Sequence, residues 1–273
     1  MVRLAIALVP VLVAVVCALP RPQPNTPENI ERLRNLQPND LKEELSGQFE
    51  GDIVLTEEQE TALSSLTRNG LLNEVYRWPD KVIPYVIAED HFTPDHVAQI
   101  LRGLRLLETQ TCLVFKPRTD EVDYIHVVGD QGSGCWSYVG YRGWGEQQLH
   151  LDPDPLETGC FRIGTVVHEF IHAIGFYHMQ SAADRDEYVD IILENITEGK
   201  EHNFNAYTES TVTSFNVRYD YGSVMHYSAY SFSKNGLPTI VPKDPTATIG
   251  QRLGMSERDI SKINLMYQCL RKN

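Results

Sequence analysis

The chain has 273 residues, with 24 basic and 37 acidic side chains and a formal charge of −13 at neutral pH. Such acidity argues against nucleic acid and anionic membranes as partners, and it says nothing about the fold. Residues 1–20 read Met-Val-Arg, an apolar run from Leu4 to Leu19, then Pro20. A charged start, a short apolar core and a small residue at Ala18 describe a secretory signal peptide over residues 1–18. The run is shorter than the roughly 20 residues a membrane anchor needs, so the expected product is secreted, extracellular and free of the membrane.

Of five cysteines, Cys17 leaves with the signal peptide and Cys112, Cys135, Cys160 and Cys269 remain. An even number in a secreted chain suggests two disulfides, with three possible connectivities. Asn195-Ile196-Thr197 is a glycosylation acceptor sequence. Residues 21–68 are charged, poor in aromatics and carry Pro22, Pro24, Pro27 and Pro38, the composition of a lightly structured segment and not of a domain. Within it Asp52 lies between Gly51 and Ile53, and Thr56-Glu57-Glu58-Gln59 forms a capping box that starts one helix. That helix should end near Arg68 and Asn69, a basic residue beside turn formers and a natural site for proteolytic nicking.

Residues 69–273 keep 18 basic and 27 acidic side chains, a net charge of −9, in a length suited to one domain with a sizeable core. Residues 81–88 are rich in β-formers. Thr93-Pro94-Asp95 supplies a cap, a helix-starting proline and a first-turn acid. The helix that follows should run to about Glu108 and bury Val97, Ile100, Leu101, Leu104 and Leu107. Residues 113–116 and 124–128 read as strands, and 132–145 as loop or edge strand. A second helix begins near Arg162. Beyond residue 178 regular structure thins until Ser256-Glu257-Arg258-Asp259 caps a closing helix. Strands mostly precede the second helix and helices lie around them, which is an α+β arrangement.

The chemistry concentrates in His168-Glu169-x-x-His172-x-x-Gly175-x-x-His178. Residues four apart share a helix face, so His168 and His172 can offer imidazole nitrogens to one ion. Glu169 projects beside that ion, where a carboxylate can hold and deprotonate water. Gly175 tolerates the positive φ that ends a helix, so the chain can turn and present His178 as a third ligand. Three protein ligands with one open position are the catalytic form of a zinc site. Five fixed positions arise by chance in a chain of this length on the order of 1 in 10,000 times, which sets aside coincidence.

This pattern is the metzincin zinc signature. Together with Ser223-Val-Met-His-Tyr227, Gly134-Cys135-Trp136-Ser137-Tyr138-Val139-Gly140 and Asp184-Arg185-Asp186, it resembles the astacin family of zinc endopeptidases, from Phe49 to Cys269. The resemblance implies a two-lobed zincin fold. Its N-terminal lobe would hold a mixed twisted sheet and two long helices, and its C-terminal lobe would be mostly irregular with a terminal helix. One Zn2+ per chain would sit on His168, His172 and His178, with Glu169 as general base. Tyr227 would support the oxyanion, and Met225 would pack beneath the metal. Cys135, Trp136, Ser137 and Tyr138 would form the edge strand on which substrate aligns antiparallel. The implied disulfides are Cys112–Cys269 and Cys135–Cys160. Phe49-x-Gly51-Asp52 resembles the propeptide switch, with Asp52 on the zinc until an activating protease cuts at Arg68–Asn69.

The resemblance further implies a monomer without C-terminal accessory domains that acts on protein or peptide substrates. Two positions depart from the pattern, Met179 for Glu and Ala182 for Arg. That Glu normally receives the ammonium of the new N-terminus. The departures favour a rival reading, an inactive secreted binding protein on the same fold, which retention of Glu169 and Tyr227 opposes. His226 reads as structural, and Arg252, in Gly250-Gln251-Arg252, as a surface arginine in preference to a residue that shapes the specificity pocket.

Overall fold

The computed structural model describes residues 42–44, 46–64, 74–208 and 214–269. The expected signal peptide and the expected cleavage site at Arg68 and Asn69 lie outside the described residues. A six-stranded sheet and three helices form the first half of the fold. Its strands are β1 (Ile53–Val54), β2 (Val82–Ile87), β3 (Val114–Pro117), β4 (Tyr124–Val128), β5 (Cys135–Tyr138) and β6 (Glu146–Leu151). In space they run β1-β5-β6-β4-β2-β3. β3, β2, β4 and β6 are mutually parallel, and β5 alone runs antiparallel to its neighbour β6. The sheet is therefore mixed, and β5 would be its edge if the short β1 were removed.

α1 (Glu57–Ser64) starts at the capping box: Thr56 N–H donates to Gln59 Oε1 at 3.0 Å and Gln59 N–H to Thr56 Oγ1 at 3.1 Å. α2 (Pro94–Gln110) starts at Thr93, whose side chain accepts from His96 N–H, and buries Ile100, Leu104 and Leu107. Val97 and Leu101 are half-buried at the margins of that stripe. α3 (Ile163–Ala173) is buried along its whole length, including its polar members Thr165, His168, Glu169 and His172. It packs on α2 and on the sheet, with Phe170 edge-on to Phe115 of β3 at 5.7 Å. Helix ends leave carbonyls without internal partners, and here Trp78 Nε1 donates to Ala173 O and the Tyr267 hydroxyl to Ile174 O, both at 2.8 Å. The helix that carries the histidine motif is thus held on all sides before any metal is considered.

After α3 the chain makes short 3-10 turns and a two-stranded ribbon, β7 (Val189–Ile191) with β8 (Ile240–Pro242). α4 (Glu257–Met266) closes the described fold behind a capping box at Ser256. Disulfides join Cys112 to Cys269 and Cys135 to Cys160, the pairing the resemblance implied. The first fastens the end of the chain beside β3. The second fastens the start of β5 to the turn before α3.

Two expectations need correction. β6 is a full strand that the sequence reading did not assign, because its buried positions include the polar Gln147 and His150. The segment expected to be lightly structured carries a strand and a helix within residues 46–64. Glu50, Asp52, Ile53, Thr56 and Gln59 are all buried against the domain, and Gln59 Nε2 donates to Val139 O at 3.1 Å.

Candidate metal and active site

α3 presents His168 and His172 one turn apart, and the chain then reverses at Gly175, whose φ of +112° is a conformation that favours glycine. The reversal brings His178 to the same point. Each imidazole is fixed through its Nδ1. His168 Nδ1 donates to Val224 O at 2.8 Å, His172 Nδ1 to Phe176 O at 2.6 Å, and His178 Nδ1 to a Glu50 carboxylate oxygen at 2.8 Å. Such outer partners set the tautomer and leave Nε2 with its lone pair inward.

The inward atoms converge. His168 and His172 Nε2 are 3.0 Å apart, and Asp52 Oδ2 lies 3.1 Å from His168 Nε2 and 3.2 Å from His178 Nε2. Asp52 Oδ1 is 3.1 Å from His178 Nε2 and 3.5 Å from His172 Nε2, yet has no hydrogen-bond partner. All four side chains are buried. Four electron-pair donors at this spacing, with their protons turned outward, repel one another unless a cation lies between them. Ligands on a tetrahedral zinc sit about 3.4 Å apart given metal–ligand distances of roughly 2.1 Å. The donor set fits zinc. Burial alone would raise the Asp52 carboxyl, but the facing His178 and His172 hold it well below the usual carboxylate range.

Glu169, one residue beyond His168, is fully buried, and neither carboxylate oxygen has a hydrogen-bond partner. Burial, then the charges of Asp52 and Glu43, push its carboxyl well above the ordinary value. Tyr227 packs its ring on His178 at 4.7 Å, and its hydroxyl donates to the Glu50 carbonyl. A phenol beside the ligand cluster thus already holds a peptide carbonyl. Met225 is buried in the tight turn after Asp220. The turn is pinned by Asp259 of α4, which accepts from Ser223 Oγ at 2.6 Å and Val224 N–H at 2.9 Å. His226 is buried and bonded to the Tyr219 hydroxyl at 2.6 Å, consistent with a structural part.

Cys135, Trp136, Ser137 and Tyr138 form β5. The outer edge of β5 carries β1 in parallel register, Ile53 opposite Ser137 and Val54 opposite Tyr138. Residues 53 and 54 therefore cover this edge and run in the same direction as β5. Sequence reasoning missed Glu50, which stands two residues before Asp52. Its carboxylate takes His178 Nδ1, Ser181 Oγ at 2.8 Å and the Tyr207 hydroxyl at 2.7 Å. Two acids around one glycine were the available signal.

Four other positions differ from the sequence reading or refine it. Arg252 is not a surface residue. It is buried, Nε bonded to Glu43 Oε1 at 2.7 Å and Nη1 to His226 O at 3.0 Å, because a propeptide carboxylate and a turn carbonyl satisfy it. Met179 is buried and accepts through sulfur from Lys262 Nζ at 3.0 Å, while Ala182 is half-buried. Asn195 is buried, and its Nδ2 donates to Pro238 O at 2.7 Å.

Residues 71–268 match the family model for the Astacin peptidase family. The chain belongs to the astacin family. Astacins are zinc-dependent metallopeptidases, in agreement with the buried three-histidine cluster. Seminal metalloprotease 1 of Drosophila melanogaster is 42% identical over 230 residues, spanning 82% of this chain and 88% of that protein. Blastula protease 10 of Paracentrotus lividus is 43% identical and human meprin A subunit beta 45%, but this astacin spans only 38% and 30% of their lengths. Among solved structures, high choriolytic enzyme 1, a hatching enzyme zinc-protease of Oryzias latipes, matches with a TM-score of 0.67 and 37% identity. That match covers 75% of this chain and all of the other. No helix among the described residues is long and apolar enough to cross a membrane.

Proposed function

We propose that the chain is a secreted zinc endopeptidase made as a zymogen, with residues 1–18 as signal peptide, 19–68 as propeptide and 69–273 as protease domain. In this reading Zn2+ is held by His168, His172 and His178, and Asp52 occupies the fourth position until an activating protease cleaves at Arg68–Asn69. The observation that carries it is the buried convergence of Asp52 on three histidine nitrogens beside an unpartnered Glu169.

Zinc, when bound, would supply Lewis acidity to the scissile carbonyl and lower the pKa of water to roughly 7. Glu169 takes the proton from the attacking water and delivers it to the leaving amine. The Tyr227 hydroxyl, now on the Glu50 carbonyl, turns to the oxyanion once the propeptide is gone. β5 offers its backbone edge to a protein or peptide substrate lying antiparallel to it. Met225 keeps the floor of the site packed, and the Val224 carbonyl keeps His168 oriented. Casein zymography of the processed chain beside Glu169→Gln tests the reading. Clearing by wild type alone supports it, and clearing by neither assigns the chain to binding.

A further inference from the structure

The propeptide fills a second charged position besides the one at the metal. Lys42 reaches over the start of β5 and places Nζ between two carboxylates, 3.0 Å from Asp152 Oδ2 and 3.2 Å from Asp154 Oδ1. Both aspartates are held by the protease domain itself. Asp152 is fully buried and accepts from the backbone N–H groups of Gly132, Ser133 and Gly134 at 3.0–3.1 Å. Asp154 accepts from Cys160 N–H at 3.1 Å, the residue tied to β5 by the disulfide. The pair therefore keeps its shape without Lys42, and its remaining lone pairs face the groove the propeptide lies in.

That groove is continuous with the catalytic cleft. Propeptide main chain lies flat on Gly134, where an added Cβ would come within 2.8 Å of Lys42 O and 3.0 Å of Ser46 N–H. Farther along the same strand, the Asp52 carbonyl accepts from Ser137 N–H at 2.9 Å. A peptide backbone can thus follow β5 from Tyr138 past the metal position to Gly134 and set a side chain on the aspartates. The occupant seen there is a primary ammonium.

We infer that Asp152 and Asp154 form a subsite that selects a lysine or arginine side chain of the substrate. The inference rests on the protease reading and on its antiparallel substrate direction. With substrate antiparallel to β5, the Gly134 end of the cleft receives residues C-terminal to the cleaved bond. The preferred basic residue lies on that side, beyond the residue next to the bond. Lys42 is then a substrate-like side chain that the zymogen keeps in the subsite, and the acidity of the domain adds a steering field for basic segments.

The test uses the processed domain and quenched peptides that share one core sequence, with Lys, norleucine or Glu at each of the four positions after the bond. Wild type should cleave one Lys peptide about fivefold better than its norleucine partner, which is about 1 kcal/mol. The gain should appear in KM and not in kcat, and the Glu peptide should be poorest. Asp154→Asn should bring the Lys-to-norleucine ratio to within about twofold. If that variant does not fold, the same ratio in wild type at low and high salt decides, because an ion-pair preference shrinks as salt rises. No Lys preference after the bond, a preference only before it, or one that persists in Asp154→Asn or is insensitive to salt overturns the subsite. Failure to cleave any peptide of the set would instead strike the protease reading, so the two failures are distinguishable.

Discussion

Two walls face each other across the metal position, and they are built differently. One is α3 with the turn at Met225. Its side chains are buried from Ile163 to Ala173, its last carbonyls are capped by Trp78 and Tyr267, and Asp259 pins the turn beneath. The other is a strap of residues 42–44 and 46–54, the proposed propeptide. It touches the domain mainly through charged and polar groups: Lys42 on Asp152, Glu43 on Arg252, Glu50 on His178, Asp52 on the histidine cluster. Its apolar anchor is Ile53, packed with Val139 and Tyr177, and its ladder with β5 is two residues long. The first wall is stable because it belongs to the core. In the proposed reading the second is a removable insert, and its partners are the groups a substrate would use.

The largest effect should come from the catalytic group on the fixed wall. Glu169→Gln should lower kcat/KM by about a thousandfold, while zinc content and melting temperature stay close to wild type. Activity within about tenfold of wild type would mean the base is elsewhere. The covalent tie between β5 and α3 comes next. Cys135→Ser with Cys160→Ser should cost about 3 kcal/mol, a fall in Tm of roughly 6–12 °C on a calorimetric scan. A negligible change would show that the fixed wall does not depend on that tie.

The strap should respond the other way, by gaining activity when weakened. Asp52→Ala in the unprocessed chain should raise peptide hydrolysis about thirtyfold over the unprocessed wild type, since the competent open state becomes more populated. A variant that stays fully latent would place the latch at Glu50 or Glu43 instead. The smallest effect concerns the new N-terminus. Because Met179 gives its sulfur to Lys262 and offers no carboxylate to a terminal ammonium, precise trimming should matter little. Forms starting one or two residues either side of Asn69 should match in rate within about threefold, under about 1 kcal/mol. A steep loss on adding one residue, restored by trimming, would mean another acid, such as Asp184 or Asp259, has taken the missing Glu's place.

The same contrast explains what the sequence could reveal. The histidine motif was legible because helical spacing alone puts His168 and His172 together and Gly175 explains the turn to His178. α2 and α4 were legible through Thr93 and Ser256, whose caps act over four residues. β6 was hidden because Gln147 and His150 are buried for reasons outside the strand. Gln147 donates to Gly140 O, and His150 stacks on Trp136 at 5.3 Å. Arg252 and Glu50 were hidden because their partners lie 209 and 128 residues away. Asp259 announced itself as a helix cap, and nothing local signalled that the same carboxylate also holds the turn at Ser223 and Val224.

The central claim is that Asp52 closes the coordination of a zinc otherwise held by His168, His172 and His178. X-ray absorption on the zinc-loaded, unprocessed chain measures this directly. Three imidazole nitrogens and a carboxylate oxygen at about 2.0–2.2 Å, with the carboxylate signature lost in Asp52→Ala and after processing, is the predicted result. An identical spectrum for the wild-type zymogen, the Asp52→Ala zymogen and the processed enzyme would contradict it.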